Sequence, residues 1–373
     1  MQLQLSDDQE LLRETTARFV EQESPLTRVR ELIDDPMGFD PGWLRAGAGL
    51  GWFAMFVPEE HGGGCVSGKP LVDAAIIAEE LGRTVQPGPF LATNIVAFAL
   101  ADAGSPEQCA EVLPALASGE AIGTWALADG AGTWNDGGIA ATRNGPGFSL
   151  SGTRGFVQDA QSADWFLVAA SIDGQPAQFL VPRSASGVAV TPLVSFDLAR
   201  RLGTVTFDGV AADKAALVGE PSGATAQMDR QLDVALALQC AETVGALDVM
   251  FDMTLQYSKD RIAFGRPIGS FQALKHIMAD LALYLETCKA GAVAASIAVD
   301  ARTDDASEVA SMTKAYVGDV SVDIAQECLQ IHGGIGYTWE HDLHLYMRRV
   351  SVNNALYGTP AGHRERVCVI HGL

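Results

Sequence analysis

The chain has 373 residues, 48% of them hydrophobic and only 19% charged, which is enough for a large core and for two or three domains. Sparse charge with many small residues suits tightly packed helices and a sizeable oligomeric interface, so a monomer is disfavoured. The formal charge of −21 excludes nucleic acid as a partner and weighs against an anionic membrane surface, while local arginines and helix N-termini remain able to hold a phosphorylated ligand.

In chain order, Ser6 with Glu10 nearby opens an amphipathic helical stretch, and 71–81 continues in helical period. The run Pro58-Glu59-Glu60-His61-Gly62-Gly63-Gly64 reads as a loop. Residues 1–12 are polar and acidic, and no uninterrupted apolar run reaches about 18 residues, which predicts a cytoplasmic protein with no membrane span. From about Ala121 the texture changes to short alternating segments, 148–152, 165–169 and 204–207, separated by Gly, Asn and Asp turns. Helical periodicity resumes after Gly219-Glu220-Pro221-Ser222-Gly223. Residues 232–251 are apolar on nearly every face, the mark of a helix inside a bundle, and 271–299 and 307–331 are long enough to pack with it in a four-helix arrangement. The expected class is α+β: an N-terminal helical domain (1–120), a middle β domain (121–222) and a C-terminal four-helix bundle (223–373).

Cys65, Cys109, Cys240, Cys288, Cys328 and Cys368 are scattered without a C-x-x-C pair and read as buried free thiols. His341, His344 and His363 have no metal-ligand spacing with nearby acids, so no metal is expected. Trp339-Glu340-His341-Asp342 reads as the polar opening of the last long helix.

Two segments carry chemistry: Tyr257-Ser258-Lys259-Asp260-Arg261-Ile262-Ala263-Phe264-Gly265-Arg266-Pro267-Ile268-Gly269-Ser270-Phe271-Gln272, and Gln330-Ile331-His332-Gly333-Gly334-Ile335-Gly336-Tyr337-Thr338. Arg261 offers a bidentate phosphate donor beside a Gly-Arg-Pro turn, and paired glycines let backbone N–H groups approach a pyrophosphate. The glycine run lacks G-x-G-x-x-G spacing and follows a helix, so nicotinamide binding is not supported. Taken singly, either segment is equally well a surface ion pair or a helix end.

Together the two segments resemble the acyl-CoA dehydrogenase family, and the resemblance extends over nearly the whole chain, through the Pro58 to Gly64 loop and Ala78-Glu79-Glu80-Leu81-Gly82. It implies an FAD between the β domain and the C-terminal bundle, with a neighbouring subunit touching its pyrophosphate and adenosine. Carried over residue by residue, Arg261, Phe264, Gln272, Gln330, Gly333 and Gly334 would hold the distal half of an FAD whose isoalloxazine sits in a partner, and Thr359 would also contact the cofactor. The implied reaction is α,β-dehydrogenation of an acyl-CoA, a carboxylate taking the α-proton as hydride passes to the flavin.

This sequence departs from the pattern where the base belongs. The family's Y-E-G-T segment falls without a gap on Leu356-Tyr357-Gly358-Thr359, placing the catalytic Glu position at Tyr357. A phenol with an ordinary pKa of about 10 is a poor base. The alternative carboxylate position of some members falls on Ala235, followed by Leu236 where that subgroup has Arg. Asp233 should point away from it; Glu242, two turns on along the same face, is the better rescue candidate, although a buried Glu paired to a neighbouring helix is the favoured reading. The flavin cradle is also altered: Ala128-Asp129 precedes Gly130-Ala131-Gly132 where the family has Thr-Glu, and Phe156-Val157-Gln158 stands for Trp-Ile-Ser/Thr. His332 matches a common H-G-G variant and reads equally as a packed histidine.

The resemblance therefore implies a subunit of an α2β2 acyl-CoA dehydrogenase that completes the FAD site of a homologous, base-bearing chain, with an acyl-CoA substrate, including bulky steroid side chains, and electron-transfer flavoprotein or a similar acceptor. The alternatives are a self-sufficient homo-oligomer using Glu242, and a flavin monooxygenase or structural subunit on the same fold.

Overall fold

The computed structural model describes residues 5–128 and 138–373. Its N-terminal helices are α1 (Asp7–Glu23), α2 (Leu26–Glu31), α3 (Pro41–Gly49), α4 (Pro70–Arg83), α5 (Phe90–Ala103) and α6 (Pro106–Ala117). Ser6 caps α1, but the reciprocal partner of its capping box is Gln9 and not Glu10, because only the third residue of the helix reaches back to the cap. A ladder of Phe19, Trp43, Trp52 and Phe90 ring contacts ties α1, α3 and α5 together.

The strands are β1 (Gly123–Ala126), β2 (Ile139–Asn144), β3 (Gly147–Gln158), β4 (Trp165–Ile172), β5 (Gln175–Pro182), β6 (Val188–Leu193) and β7 (Leu202–Ala212). They form one seven-stranded sheet in the order β1-β4-β2-β3-β7-β6, with β5 paired to β4. Only β4 makes parallel pairs, with β1 and β2. A register shift between Arg154 and Val157 bulges β3, places Phe156 at φ +53° and leaves its ring half-exposed beside a cleft.

The C-terminal helices are α7 (Ala224–Asp260), α8 (Gln272–Asp300), α9 (Ala306–His332), α10 (Leu343–Ala355) and α11 (Pro360–Ile370), with a two-strand ribbon, β8 (Ile262–Ala263) and β9 (Arg266–Pro267), after α7. At 37 residues α7 is about 55 Å long, and its middle, 233–247, is buried throughout. It crosses α4 with almost no side chain between the two backbones. A Cβ on Gly82 would lie 2.0 Å from the Glu242 carbonyl oxygen, and one on Gly245 would lie 2.0 Å from that of Glu79. Those two glycines set the depth at which Glu242 enters the junction of the three regions.

Two sequence expectations change here. The helices Pro221–Asp260 and Gln272–Asp300 are long and apolar enough to cross a membrane by length and composition, because a mean hydropathy tolerates the scattered polar residues that interrupt each run; 83% of the first window and 33% of the second are buried inside the protein. Of the six free cysteines, Cys240, Cys288 and Cys328 are buried, whereas Cys65, Cys109 and Cys368 are partly exposed, Cys65 and Cys109 packing at the edge of the core. The segment 339–342 precedes α10 as a turn. There Arg30 of α2 bonds Asp342 at 2.7 Å and lies over the Trp339 ring, docking the two ends of the chain.

Candidate functional site

The residues singled out by sequence fall into two separate places. Tyr257, near the end of α7, stacks on His332, at the end of α9, with ring centroids 4.5 Å apart. This contact brings the two motifs side by side although they are distant in the chain. Phe264 and Gly265 both take positive φ in the β8–β9 turn, a type I′ geometry that thrusts Phe264 outward until it is 95% exposed. Arg261, Gln272, Gln330 and Gly334 are also exposed. Arg261 makes no ion pair among the described residues, a Cβ on Gly333 or Gly334 would meet nothing, and the N-terminus of α8 at Gln272 has no side-chain cap. His332 is buried, with its Nδ1 2.8 Å from the Cys328 carbonyl oxygen, which makes it the packed histidine of this end.

Thr359 is elsewhere. It caps α11 and, with Tyr357, Phe156, Val352 and Leu356, lines an open cleft of about 1000 Å³ between the β sheet and α10–α11. None of Arg261, Phe264, Gln272, Gln330, Gly333 and Gly334 borders that cleft. Of the altered flavin cradle, Phe156 and Gln158 are in place at the end of β3, while Asp129, Gly130, Ala131 and Gly132 lie outside the described residues.

Behind Tyr357 the three regions meet in a buried polar network. Tyr357 sits at φ +61°, 4% exposed, stacked on Trp125, and its hydroxyl accepts from Gln158 Nε2 at 2.6 Å. Gln158 Oε1 in turn accepts from Arg200 at 2.6 Å. Arg200 donates to Glu242 at 2.5 Å, and Arg349 donates to the other Glu242 oxygen at 2.9 Å. Asn353, four residues after Arg349 on the same face of α10, adds a bond to Glu242 at 2.9 Å. Asp197, whose loop between β6 and β7 is shaped by its own bond to the Ala199 N–H, takes the Arg349 Nε–H. Arg349 also bonds the Val85 and Gln86 carbonyls after α4. Beside this network remains a void of about 10 Å³, bordered by Phe90, Leu91, Gln158, Asp159, Arg200 and Glu242, with room for about one water.

The electrostatics follow from burial with compensation. Burial opposes ionisation of Glu242, yet Arg200 and Arg349 hold its carboxyl below the usual carboxylate range. Asp197 is lowered in the same way against its burial, chiefly by Arg349. Burial pushes the Asp159 carboxyl up to about 7 despite Arg200, and pushes the Tyr357 phenol above its ordinary value. Tyr357 is therefore a neutral hydrogen-bonding group. Glu242 is an ionised carboxylate with both oxygens engaged, so taking a proton would require it to give up these bonds. Ala235 is fully buried in the core, and Asp233 is engaged by Ser307 at 2.5 Å and Arg366 at 2.7 Å.

Sequence reasoning missed Asp197, Arg200 and Lys314. Arg349 and Asn353, spaced i, i+4, gave a signal that one helix face is polar. Nothing local marks Arg200 as buried. Among the described residues no group of three His, Cys, Asp or Glu is placed to hold a metal. His344 and His363 are instead aimed at the carbonyls of Trp339 and Tyr357.

Comparison with known proteins accords with this architecture. The model of the acyl-CoA dehydrogenase N-terminal domain matches residues 6–120 and that of the C-terminal domain matches 222–368. The acyl-CoA dehydrogenase IpdE2 of Mycolicibacterium smegmatis is 33% identical over 367 residues, covering 97% of this chain and 98% of its own. Among solved structures, the ChsE4–ChsE5 complex from Mycobacterium tuberculosis is 28% identical with a TM-score of 0.89, over 100% of this chain and 99% of the matched chain. A variant of the Tcur3481–Tcur3483 steroid ACAD is 25% identical with a TM-score of 0.88, over 98% of each. The chain belongs to the acyl-CoA dehydrogenase family, FAD-dependent oxidoreductases acting on CH–CH donors.

Proposed function

We propose that this chain is the non-catalytic member of a heteromeric, cytoplasmic acyl-CoA dehydrogenase that oxidises a bulky, steroid-type acyl-CoA and passes electrons to an electron-transfer flavoprotein or similar acceptor. The carrying observation is the closed junction: Tyr357 occupies the family's base position, and behind it Gln158, Arg200, Glu242 and Arg349 leave a void of only about 10 Å³. A thioester has no room there; of the two carboxylates bordering it, Glu242 is held by two arginines and Asp159 is raised by burial to about 7. We read Glu242 as the anchor of the network, with its charge spent on two arginines. Two of the similar solved structures bear the names of two-component assemblies, ChsE4–ChsE5 and Tcur3481–Tcur3483, and the second is named a steroid ACAD.

The outer face suits one end of an FAD. Arg261 would pair with the pyrophosphate, the uncapped N-terminus of α8 would add backbone donors, Gly333 and Gly334 would allow close approach, and exposed Phe264 would cover an aromatic ring. When bound, FAD supplies the hydride acceptor. In this reading the residues here bind and orient it, and the partner supplies the base.

A second reading, a chain holding its own flavin ring, is favoured by the cleft of about 1000 Å³ against Tyr357 and Thr359. Flavin content decides between them. The chain is expressed alone and with a homologous base-bearing chain, and bound FAD is measured by visible absorbance. Half a flavin per chain, only on co-expression, is expected. One flavin per chain in a stable homo-oligomer that is reduced by an acyl-CoA would overturn the proposal.

A further inference from the structure

Lys314, in the middle of α9, is 2% exposed and has no carboxylate partner among the described residues. Its Nζ donates to Gln239 Oε1 of α7 at 2.5 Å, to the Leu356 carbonyl at 3.1 Å and to the Asn353 carbonyl. An ammonium carries three N–H groups, and here three acceptors take them. Two of those acceptors are carbonyls at the C-terminal end of α10, where the aligned peptide dipoles favour a cation. Immediately after them the chain turns left-handed at Tyr357, φ +61°, a conformation that costs a bulky residue about 1–3 kcal/mol and persists only when its surroundings fix it. The turn is held from its other side by His363, whose Nε2 lies 2.9 Å from the Tyr357 carbonyl oxygen.

We propose that Lys314 is a positioning residue: bonded to the last carbonyls of α10, it fixes the turn at Tyr357 and so sets Tyr357 and Thr359 on the wall of the open cleft. The consequence for flavin rests on reading that cleft as a flavin-facing surface. The consequence for the turn does not.

The surroundings of Lys314 bring its protonation into the range just above neutral pH. Burial pushes its ammonium down to about 8. Cys240 of α7, which faces it, has its thiol pushed by burial up to about 11 and stays neutral over this range; Arg200 of the loop between β6 and β7 stays cationic; His363 of α11 is driven by burial down to about 4 and is neutral throughout. A neutral amine has two N–H groups for three acceptors, so one bond to the turn is lost as pH rises through about 8.

The test is amide exchange of Leu356 and Gly358, whose N–H groups bond the Val352 and Ala355 carbonyls, in the full chain between pH 6.5 and 9, each rate divided by its intrinsic value. Protection at both amides should fall about fivefold across pH 8, the size expected for one lost hydrogen bond, while Leu247 in the middle of α7 stays protected. Lys314→Met should show the low value at every pH. Flat protection in the native chain across this range overturns the proposal even if Lys314→Met fails to fold, and so does native-like protection in Lys314→Met. In the co-expressed complex, a loosened turn with unchanged FAD content upholds the positioning role and removes the flavin reading of the cleft.

Discussion

The outer face around Arg261 and the inner junction around Glu242 are both rich in polar groups, and they are built on opposite terms. Outside, Arg261 has no ion pair among the described residues, Phe264 is exposed, and Gly333 and Gly334 have empty space before them. Inside, Glu242, Asp197, Arg200 and Arg349 neutralise one another, and Gln158 passes the network to Tyr357. Groups left unsatisfied at a surface are available to a ligand or partner, whereas groups locked together in the core serve the fold. In the proposed function, the region behind Tyr357 serves as a structural joint and the binding capacity lies on the rim.

Breaking the joint should have the largest effect on stability. Arg349→Ala leaves two buried carboxylates, Glu242 and Asp197, to the single guanidinium of Arg200 and should cost about 3–5 kcal/mol, measured by urea unfolding. Glu242→Gln should cost less, since the amide keeps one acceptor for the arginines, and a loss as large as that of Arg349→Ala would show that charge rather than hydrogen bonding holds the joint. Next comes Gly82→Ala, which drives a methyl into the Glu242 carbonyl and should cost about 1–3 kcal/mol by forcing α4 from α7; an unchanged urea midpoint would mean that the crossing is softer than it looks.

The joint should also respond to pH in two opposed ways. Glu242 and Asp197 have folded pKa values below their unfolded ones, so their contribution is present above about 4 and is lost as pH falls through the folded values. Asp159 is raised to about 7, so the folded chain holds a proton that the unfolded chain has released, and stability declines as pH rises from about 4 to about 7. Asp159→Asn keeps a residue tolerant of its φ of +49° and should flatten that decline. The same slope in the variant would point to another group. The smallest stability effect belongs to the rim: Arg261→Ala should change unfolding free energy by less than about 0.5 kcal/mol while lowering FAD content of the co-expressed complex. A stability loss near that of Arg349→Ala would erase the contrast between the two regions.

Much of the architecture was legible in order along the chain. The apolar run around 232–251 announced a buried helix, Gly-rich turns with alternating segments announced the sheet, and the two motifs meet at one end of the C-terminal helices. The site was legible only in part. The proposal that the usual base is missing rests on the identities of Tyr357 and Ala235, because no side-chain geometry turns a phenol or a methyl into a carboxylate. The role of Glu242 was not legible: acids near the middle of a buried helix serve equally as bases or as ion-pair anchors until their neighbours are known.

What the sequence by itself determined is the family and the order of helices, strands and helices, since these depend on residue identity and short-range periodicity. What only the tertiary structure decided is where the charges end up. Arg200 from a loop, Glu242 from α7 and Arg349 from α10 are brought within hydrogen-bonding distance only by the close crossing of α4 and α7 and the folding of the β6–β7 loop. Compensation of buried charge depends on distances between segments remote in the chain, and no local pattern encodes those distances.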